Sequence, residues 1–208
     1  FGGDDEPIDT VASQLRSLGQ KTAFEPLRVR QVPGGNDYQR CEEAGTDLGQ
    51  LLTKEKTIAA MKALDGDLDK ALGRLSGGLY VVTARQETAE GTRSSAMVAS
   101  WVSQASFTPP GLTVAVAKDR AVEALLHVGD CFALNVLAAG RESGPMKQFL
   151  QPFAPGADRF AGLQLEQSPA GQPVLPEALA WLECSVKQRM ECGDHWLLYA
   201  QVQTGSVL

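Results

Sequence analysis

The chain has 208 residues, 43% of them hydrophobic and 21% charged, with a formal net charge of -6. That length and balance fit one or two soluble globular domains with a real core. The acidic charge argues against nucleic acid as a partner, and no apolar run reaches the about 20 residues of a membrane span. The chain opens Phe1-Gly2-Gly3-Asp4 with no Met, signal peptide or Arg/Ser-rich transit segment, so it reads as a piece of something longer. Cys41, Cys131, Cys184 and Cys192 show no C-x-x-C spacing, and His127 lies far from His195. A zinc site is therefore poorly supported, and reduced thiols are the default reading.

Residues 7–18 read as an amphipathic helix. Pro7 suits a first helical position, Ile8, Val11, Leu15 and Leu18 recur at helical spacing, and Gly19 fits a C-terminal cap. A short strand is predicted over residues 27–32, with Arg28 and Arg30 on one face, broken by Pro33-Gly34-Gly35. A second helix follows, capped by Asn36 or Asp37, with Tyr38, Cys41, Gly45, Leu48 and Leu52 directed to a core. Helix, strand, helix is too little to bury itself and makes sense as the closing end of an α/β unit. Residues 53–66, with Lys54-Glu55-Lys56, read as a linker that could hold a turn of helix at Ala59, Met61 and Leu64. Residues 67–75 read as another helix, ended by Gly77-Gly78.

The remainder is mostly strand: residues 79–84, 94–103, 112–118, 131–137, 180–190 and a last one through Trp196, Leu198, Ala200 and Val202. Residues 86–91 read as a polar turn, 121–128 and 142–150 as short helices, and 151–162 as an ordered loop. In residues 131–137, Phe132, Leu134 and Val136 share a face opposite Asn135. In residues 180–190 the even positions are mostly apolar and the odd ones polar. Cys192-Gly193-Asp194 is a hairpin signal. Antiparallel strands without regular crossover helices argue for a Greek-key barrel, and the absence of G-x-G-x-x-G argues against a Rossmann sheet. A hydrolase is equally unsupported, since no G-x-S-x-G occurs.

Residues 94–118 organise this half. Ser94, Ser95, Ser100, Ser103 and Ser106 are interleaved with Ala96, Ala99 and Ala105, so neither face of the strand is cleanly apolar. Small residues let a flat ligand approach a backbone whose N–H groups can bond its heteroatoms; close packing against another backbone explains the composition equally well. The runs Leu79-Tyr-Val-Val-Thr83, residues 94–103, Pro109-Pro110, Phe132-Ala-Leu-Asn-Val-Leu137, Gly171-Gln-Pro-Val-Leu175, Leu182-Glu-Cys184 and Gly193-Asp-His195 resemble the flavin reductase-like family of FMN-binding split β-barrels. Ala99-Ser-Trp-Val-Ser-Gln-Ala-Ser-Phe107, Ala115-Val-Ala-Lys-Asp-Arg120, Pro155-Gly-Ala-Asp-Arg-Phe-Ala-Gly162 and Cys192-Gly-Asp-His-Trp196 resemble, more narrowly, the C-terminal module of the photosynthetic flavodiiron proteins. Phe1-Gly2 and Cys41-Glu-Glu-Ala-Gly-Thr-Asp47 resemble the end of the flavodoxin-like domain that precedes that module.

The resemblance implies three regions: a flavodoxin-like remnant at 1–52, a linker at 53–66, and a mainly β, antiparallel split barrel with short helices at 67–208. The barrel reads as cut short, because Val207-Leu208 ends in a continuing strand. It also implies an NAD(P)H:FMN oxidoreductase module that passes electrons to flavodoxin-like and diiron domains. An FMN relay fed by a protein donor is the alternative. A homo- or heterodimer is expected, in a cyanobacterial cytoplasm or chloroplast stroma. By the same resemblance Ser94, Ser95, Ala96, Met97 and Val98 line the isoalloxazine and ribityl, and Ser100, Trp101, Val102 and Ser103 continue that wall. Lys118 and Arg120 would meet the FMN phosphate, and His195 would stand where nicotinamide enters. Phe153 and Phe160 either cover the ring or pack in the core. Ala96 and Ala99 are expected to touch the flavin closely, so that enlarging either reduces FMN affinity more than stability. No metal site is expected, since a diiron centre needs several clustered His and Asp/Glu ligands.

Overall fold

In a computed structural model of the chain, the described residues are 6–29, 32–63, 66–89 and 91–208. The β-rich half folds as β1 (Tyr80–Thr88), β2 (Gly91–Ala99), β3 (Val102–Phe107), β4 (Pro110–Ala117), β5 (Cys131–Val136), the short pair β6 (Glu166–Gln167) and β7 (Pro173–Val174), then β8 (Ala180–Cys192) and β9 (His195–Val207). Seven of these form one antiparallel sheet in the order β2-β1-β5-β8-β9-β4-β3. Its two edge strands, β2 and β3, are joined by Ser100 and Trp101 alone. Three Cα steps reach about 11 Å at most, so the sheet must curl until its edges meet. The Ala115 N–H bonds the Trp101 carbonyl at 3.0 Å, which carries the β3–β4 ladder one residue past Val102 into the link. This is the expected split barrel, and the stretch read as one strand at 94–103 is two strands bent at Ser100-Trp101.

The interior follows from the period-2 pattern. Val82, Met97, Val114, Val116, Phe132, Leu134, Cys184, Val186 and Leu198 converge and are buried, each large apolar side chain contributing about 1.5–3 kcal/mol of transfer free energy. A second layer covers the outer face of β1 and β2. There Val81 and Ala96 pack with Phe149 of α4 (the fourth helix, Ser143–Leu150), Phe160 and Leu175. The Phe149 and Phe160 rings meet edge to face at 5.9 Å. Asn135 anchors this layer: its amide donates to the Val81 carbonyl and Thr83 hydroxyl, and its carbonyl accepts the Leu175 N–H at 2.8 Å. The β8–β9 hairpin turns on Gly193, whose φ of +64° suits the first position of a type II′ turn.

Among the described residues three helices precede the barrel: α1 (Glu6–Ser17), α2 (Gly35–Ala63) and α3 (Asp67–Leu72). α1 closes as expected, with Gly19 at φ +72° and the Gln20 N–H reaching back to the Leu15 carbonyl. α2 starts earlier than expected: Gly34 stands at the cap instead of Asn36 or Asp37, and Asp37 accepts the Gly34 N–H at 3.0 Å from the third helical position. Other expectations are corrected as well. Residues 27–29 form no strand, because no neighbouring strand pairs with them; Arg28 instead pairs with Asp9 of α1, and residues 30 and 31 lie outside the described set. α2 runs on to Ala63 through the stretch read as a linker, while residues 64 and 65 are again outside it. Its predicted inner face is outward: Tyr38, Cys41, Gly45, Leu48 and Leu52 are exposed, and Gln39, Glu43 and Ala44 are buried.

Candidate functional site

The site is built on the free edge of β2. The Gln39 side chain bonds Ser94 twice, accepting its N–H at 3.2 Å and donating to its carbonyl at 2.8 Å. Ser94 lies opposite Arg85 in the β1–β2 ladder, and Gln172 bonds Arg85 in the same two-way manner. The Ser94–Arg85 pair therefore turns its backbone groups outward. Antiparallel pairs alternate, and the β1–β2 register has no slip, so Ala96 and Val98 present their N–H and C=O groups on the same free edge as Ser94. Beyond Gln39, that edge opens into a cleft of about 650 Å³ lined by Ala96, Met97 and Val98. Its size falls within the about 300–1,000 Å³ range of cofactor pockets.

The opposite wall comes from α2, with Glu43, Thr46, Asp47 and Gln50. These residues share one helix face with Gln39. Asp119, Arg120 and Ala121 close one end, and Phe149–Phe153 with Arg159 close the other. Glu43 is buried, accepts the Gly156 N–H at 2.6 Å and pairs with Arg159 at 3.4 Å. Arg159 in turn lies over the Phe153 ring at 4.8 Å. Burial raises the Asp47 pKa above the usual carboxylate value; the Glu43 charge adds to this and Arg159 partly offsets it.

The sequence-predicted residues divide between this cleft and its surroundings. Ala96, Met97, Val98 and Arg120 line it. Ser94 is held by Gln39 just before it. Ser95 is buried under the 3-10 turn Ala121–Leu125, its hydroxyl unpartnered beside a void of about 10 Å³, room for about one water. Ala99 belongs to the barrel interior and Ala96 packs into the second layer, so neither is a spare surface for an added ring. Phe160 is core, whereas Phe153 lines the cleft.

Ser100, Trp101, Val102, Ser103, Lys118 and His195 do not line the cleft. They lie about the seam and the β8–β9 turn. Trp101 is 65% exposed and its ring lies 4.9 Å from that of His195. His195 Nδ1 is 2.8 Å from Asp194 Oδ1, and that bond lowers the Asp194 pKa. Lys118 pairs with Glu191 and sits over Trp196 at 5.0 Å. Arg189, paired with Glu123, sits over the same ring at 4.5 Å. The Lys118–Arg120 turn links this patch to the cleft, for the Lys118 N–H bonds the Asp194 carbonyl at 3.0 Å. Glu43, Thr46 and Asp47 of the α2 wall, and Arg159, lie in stretches that carry the resemblance, Cys41–Asp47 and Pro155–Gly162, but none of them is among the residues expected to line a flavin site. Among the described residues, no three His, Cys, Asp or Glu side chains are grouped to hold a metal ion.

The comparisons agree with the barrel. The family described as "Flavin reductase like domain" matches residues 72–208. Diflavin flavoprotein A 1 of Synechocystis sp. (strain PCC 6803) is 54% identical over 207 residues, which is 100% of this chain and 35% of that protein. A Nostoc sp. protein of the same diflavin flavoprotein A series is 57% identical over 206 residues, again 35% of its length. The chain therefore spans about a third of the curated relatives it matches. Among solved structures, the Streptomyces globisporus C-1027 NADH:FAD oxidoreductase SgcE6 is 28% identical with a TM-score of 0.60, covering 68% of this chain and 81% of that one. BorF, the flavin reductase component of a bacterial two-component tryptophan halogenase, is 26% identical with a TM-score of 0.58, covering 68% and 86%.

Proposed function

The chain belongs to the flavin reductase like family and is a flavin oxidoreductase, and from that premise we propose that it binds FMN in the cleft between β2 and α2 and takes electrons from NAD(P)H. The observation that carries this reading is the free edge of β2. Ala96 and Val98 offer alternating N–H and C=O groups into the cleft, as Ser94 offers its own to the Gln39 amide. A flavin's pyrimidine edge carries the same donor-and-acceptor pattern as that amide, so the donor set fits the group.

When bound, the flavin supplies a ring that accepts a hydride. The chain's own residues bind and orient it. The β2 edge fixes the plane of the ring, and Arg120, more than half exposed, is placed for a phosphate. Phe153 under Arg159 shields one end from water. Trp101 and His195, with rings 4.9 Å apart and tilted by 41°, form a partly exposed aromatic patch against which a nicotinamide can rest. The Asp194 bond holds the imidazole orientation and leaves Nε2 to face outward partners. Lys118 and Arg120 each pair with a carboxylate, Glu191 and Asp119, and exposed pairs of that kind are worth little and can open; Arg120 is favoured for the phosphate because it lines the cleft.

Within the longer relatives, such a module would hand electrons to further flavin and metal domains, and exposed Trp101 and Phe107 beside the edge strand β3 suit a two-fold contact between copies. The test is an anaerobic titration of the FMN-loaded chain with NADH or NADPH. Rapid loss of flavin absorbance is expected, and with air the product is peroxide. A chain that holds FMN but bleaches only with a protein donor overturns the nicotinamide step. A chain with no saturable FMN binding overturns the site.

A further inference from the structure

We propose that α2 is the second wall of the flavin site, and that Asp47 accepts hydrogen bonds from the polyol hydroxyls of the cofactor. The proposal rests on the reading of the cleft as the flavin site and goes beyond it. α2 lies outside residues 72–208, the part that matches the family. It is nevertheless fastened along the barrel at successive turns. Gln39 bonds Ser94, Glu42 pairs with Arg93, Glu43 takes the Gly156 N–H and Arg159, and Gln50 donates to the Asp119 carbonyl. A Cβ on Gly156 would run into the Arg40 side chain, so closely is the loop seated on the helix.

Asp47 stands between these fastenings, on the face that looks across at Ala96–Val98. Glu43 and Gln50 on either side of it are committed to the barrel, whereas among the described residues no hydrogen bond or ion pair is made to the Asp47 carboxylate. Burial and the Glu43 charge both disfavour that carboxylate. The carboxylate lines the cleft, so a ligand there meets an acceptor that no protein donor already occupies. A carboxylate is acceptor-only when ionised, so its ligand must bring donors. It repels a phosphate, for which Arg120 stands ready, and the β2 edge already matches the ring's imide. The part of the cofactor left for Asp47 is the hydroxyl-bearing chain between ring and phosphate.

The experiment measures flavin fluorescence quenching by the full 208-residue chain with FMN, riboflavin and lumiflavin, the last lacking the polyol. Asp47→Ala should weaken FMN and riboflavin about tenfold, the scale of one hydrogen bond to a charged group, and lumiflavin less than twofold. Asp47→Asn should recover part of the loss. Val98→Trp, which fills the cleft from the opposite wall, should weaken all three, and Arg120→Ala should weaken FMN but not riboflavin. Unchanged FMN and riboflavin binding by Asp47→Ala, with both control variants impaired, overturns the inference and leaves the flavin site standing. An equal loss for all three ligands places Asp47 on the ring and also overturns it. If Val98→Trp and Arg120→Ala both bind FMN as the parent does, the flavin lies elsewhere and the reading of the cleft falls.

Discussion

Replacing Gln39 by Leu tests whether α2 is held on the barrel by an amide that imitates a neighbouring strand. The substitution keeps length and helix propensity and removes three bonds. Two are the pair to the Ser94 backbone, and the third is the 3.1 Å donation to Glu43 Oε1. Neutral bonds of this kind are worth about 0.5–1.5 kcal/mol each and one to a charged group about 1.5–3. Glu43 retains the Gly156 N–H and Arg159, and Ser94 is only half-buried, so water recovers part of the loss. We expect a net weakening of α2 docking of about 2–3 kcal/mol, or about 30- to 150-fold in the local opening equilibrium. Amide hydrogen exchange reads this directly. The Ser94 amide should exchange faster by that factor, while amides in the β1–β5 ladder at Val81 and Leu134 keep their protection. An unchanged Ser94 rate would mean that something other than Gln39 protects the edge. Equal acceleration at Leu134 would mean that helix and barrel open as one unit, and the argument for a separately fastened wall would fail.

Further outcomes follow from the same geometry. Ala99→Phe should destabilise the chain by about 1–3 kcal/mol through overpacking of the barrel interior, and Ala96→Phe likewise against Phe149, so both should lower the melting temperature rather than affect flavin affinity alone. Asp47→Asn should raise the melting temperature at neutral pH. With its pKa raised by folding, the native state holds the Asp47 proton more tightly than the unfolded chain, so stability falls as pH rises through that pKa. The advantage of the amide should therefore vanish below the ordinary carboxylate range, and an advantage that persists in acid would contradict the assignment. Cys184 is buried with its thiol pushed up to about 12, and Cys131 is raised as well, whereas Cys41 and Cys192 are exposed. An aromatic disulfide reagent should modify Cys41 and Cys192 first and Cys184 only on unfolding; rapid native modification of Cys184 would show that the barrel breathes.

Much of the barrel was legible because its strands state their pairing locally. Phe132 and Leu134 alternate against Asn135, and Gly193-Asp194 fixes the last hairpin, so the antiparallel architecture needs little long-range information. The α2 face was not legible. Tyr38, Cys41, Gly45, Leu48 and Leu52 recur at the spacing of a buried stripe, but the surface that receives the helix is a strand edge with unpaired backbone groups. Such an edge selects Gln39 and Glu43 over leucines, and nothing in the helix sequence reveals that its neighbour is polar. The strand expected to open at residue 27 does not form over 27–29 for a related reason, since strand propensity needs a partner with a free edge and Arg28 meets a helix instead. Lys118 shows the same limit on a smaller scale: charge at a strand end is visible in the sequence, whereas its engagement by Glu191 depends on the β8–β9 register.

The two-residue link between β2 and β3 has a kinetic consequence. By order of synthesis, β2-β1-β5 and β4-β3 can each form early, but the two groups touch through the sheet only once β8 and β9 have been inserted between them. β8 and β9 are thus the keystone, and their pairing with β5 and β4 spans long stretches of sequence, which favours slow closure. Until then Val98 and Arg120, contributed by different halves, are not held across one cleft. Flavin added during refolding should therefore leave the rate of barrel closure unchanged and act afterwards, by slowing its reopening.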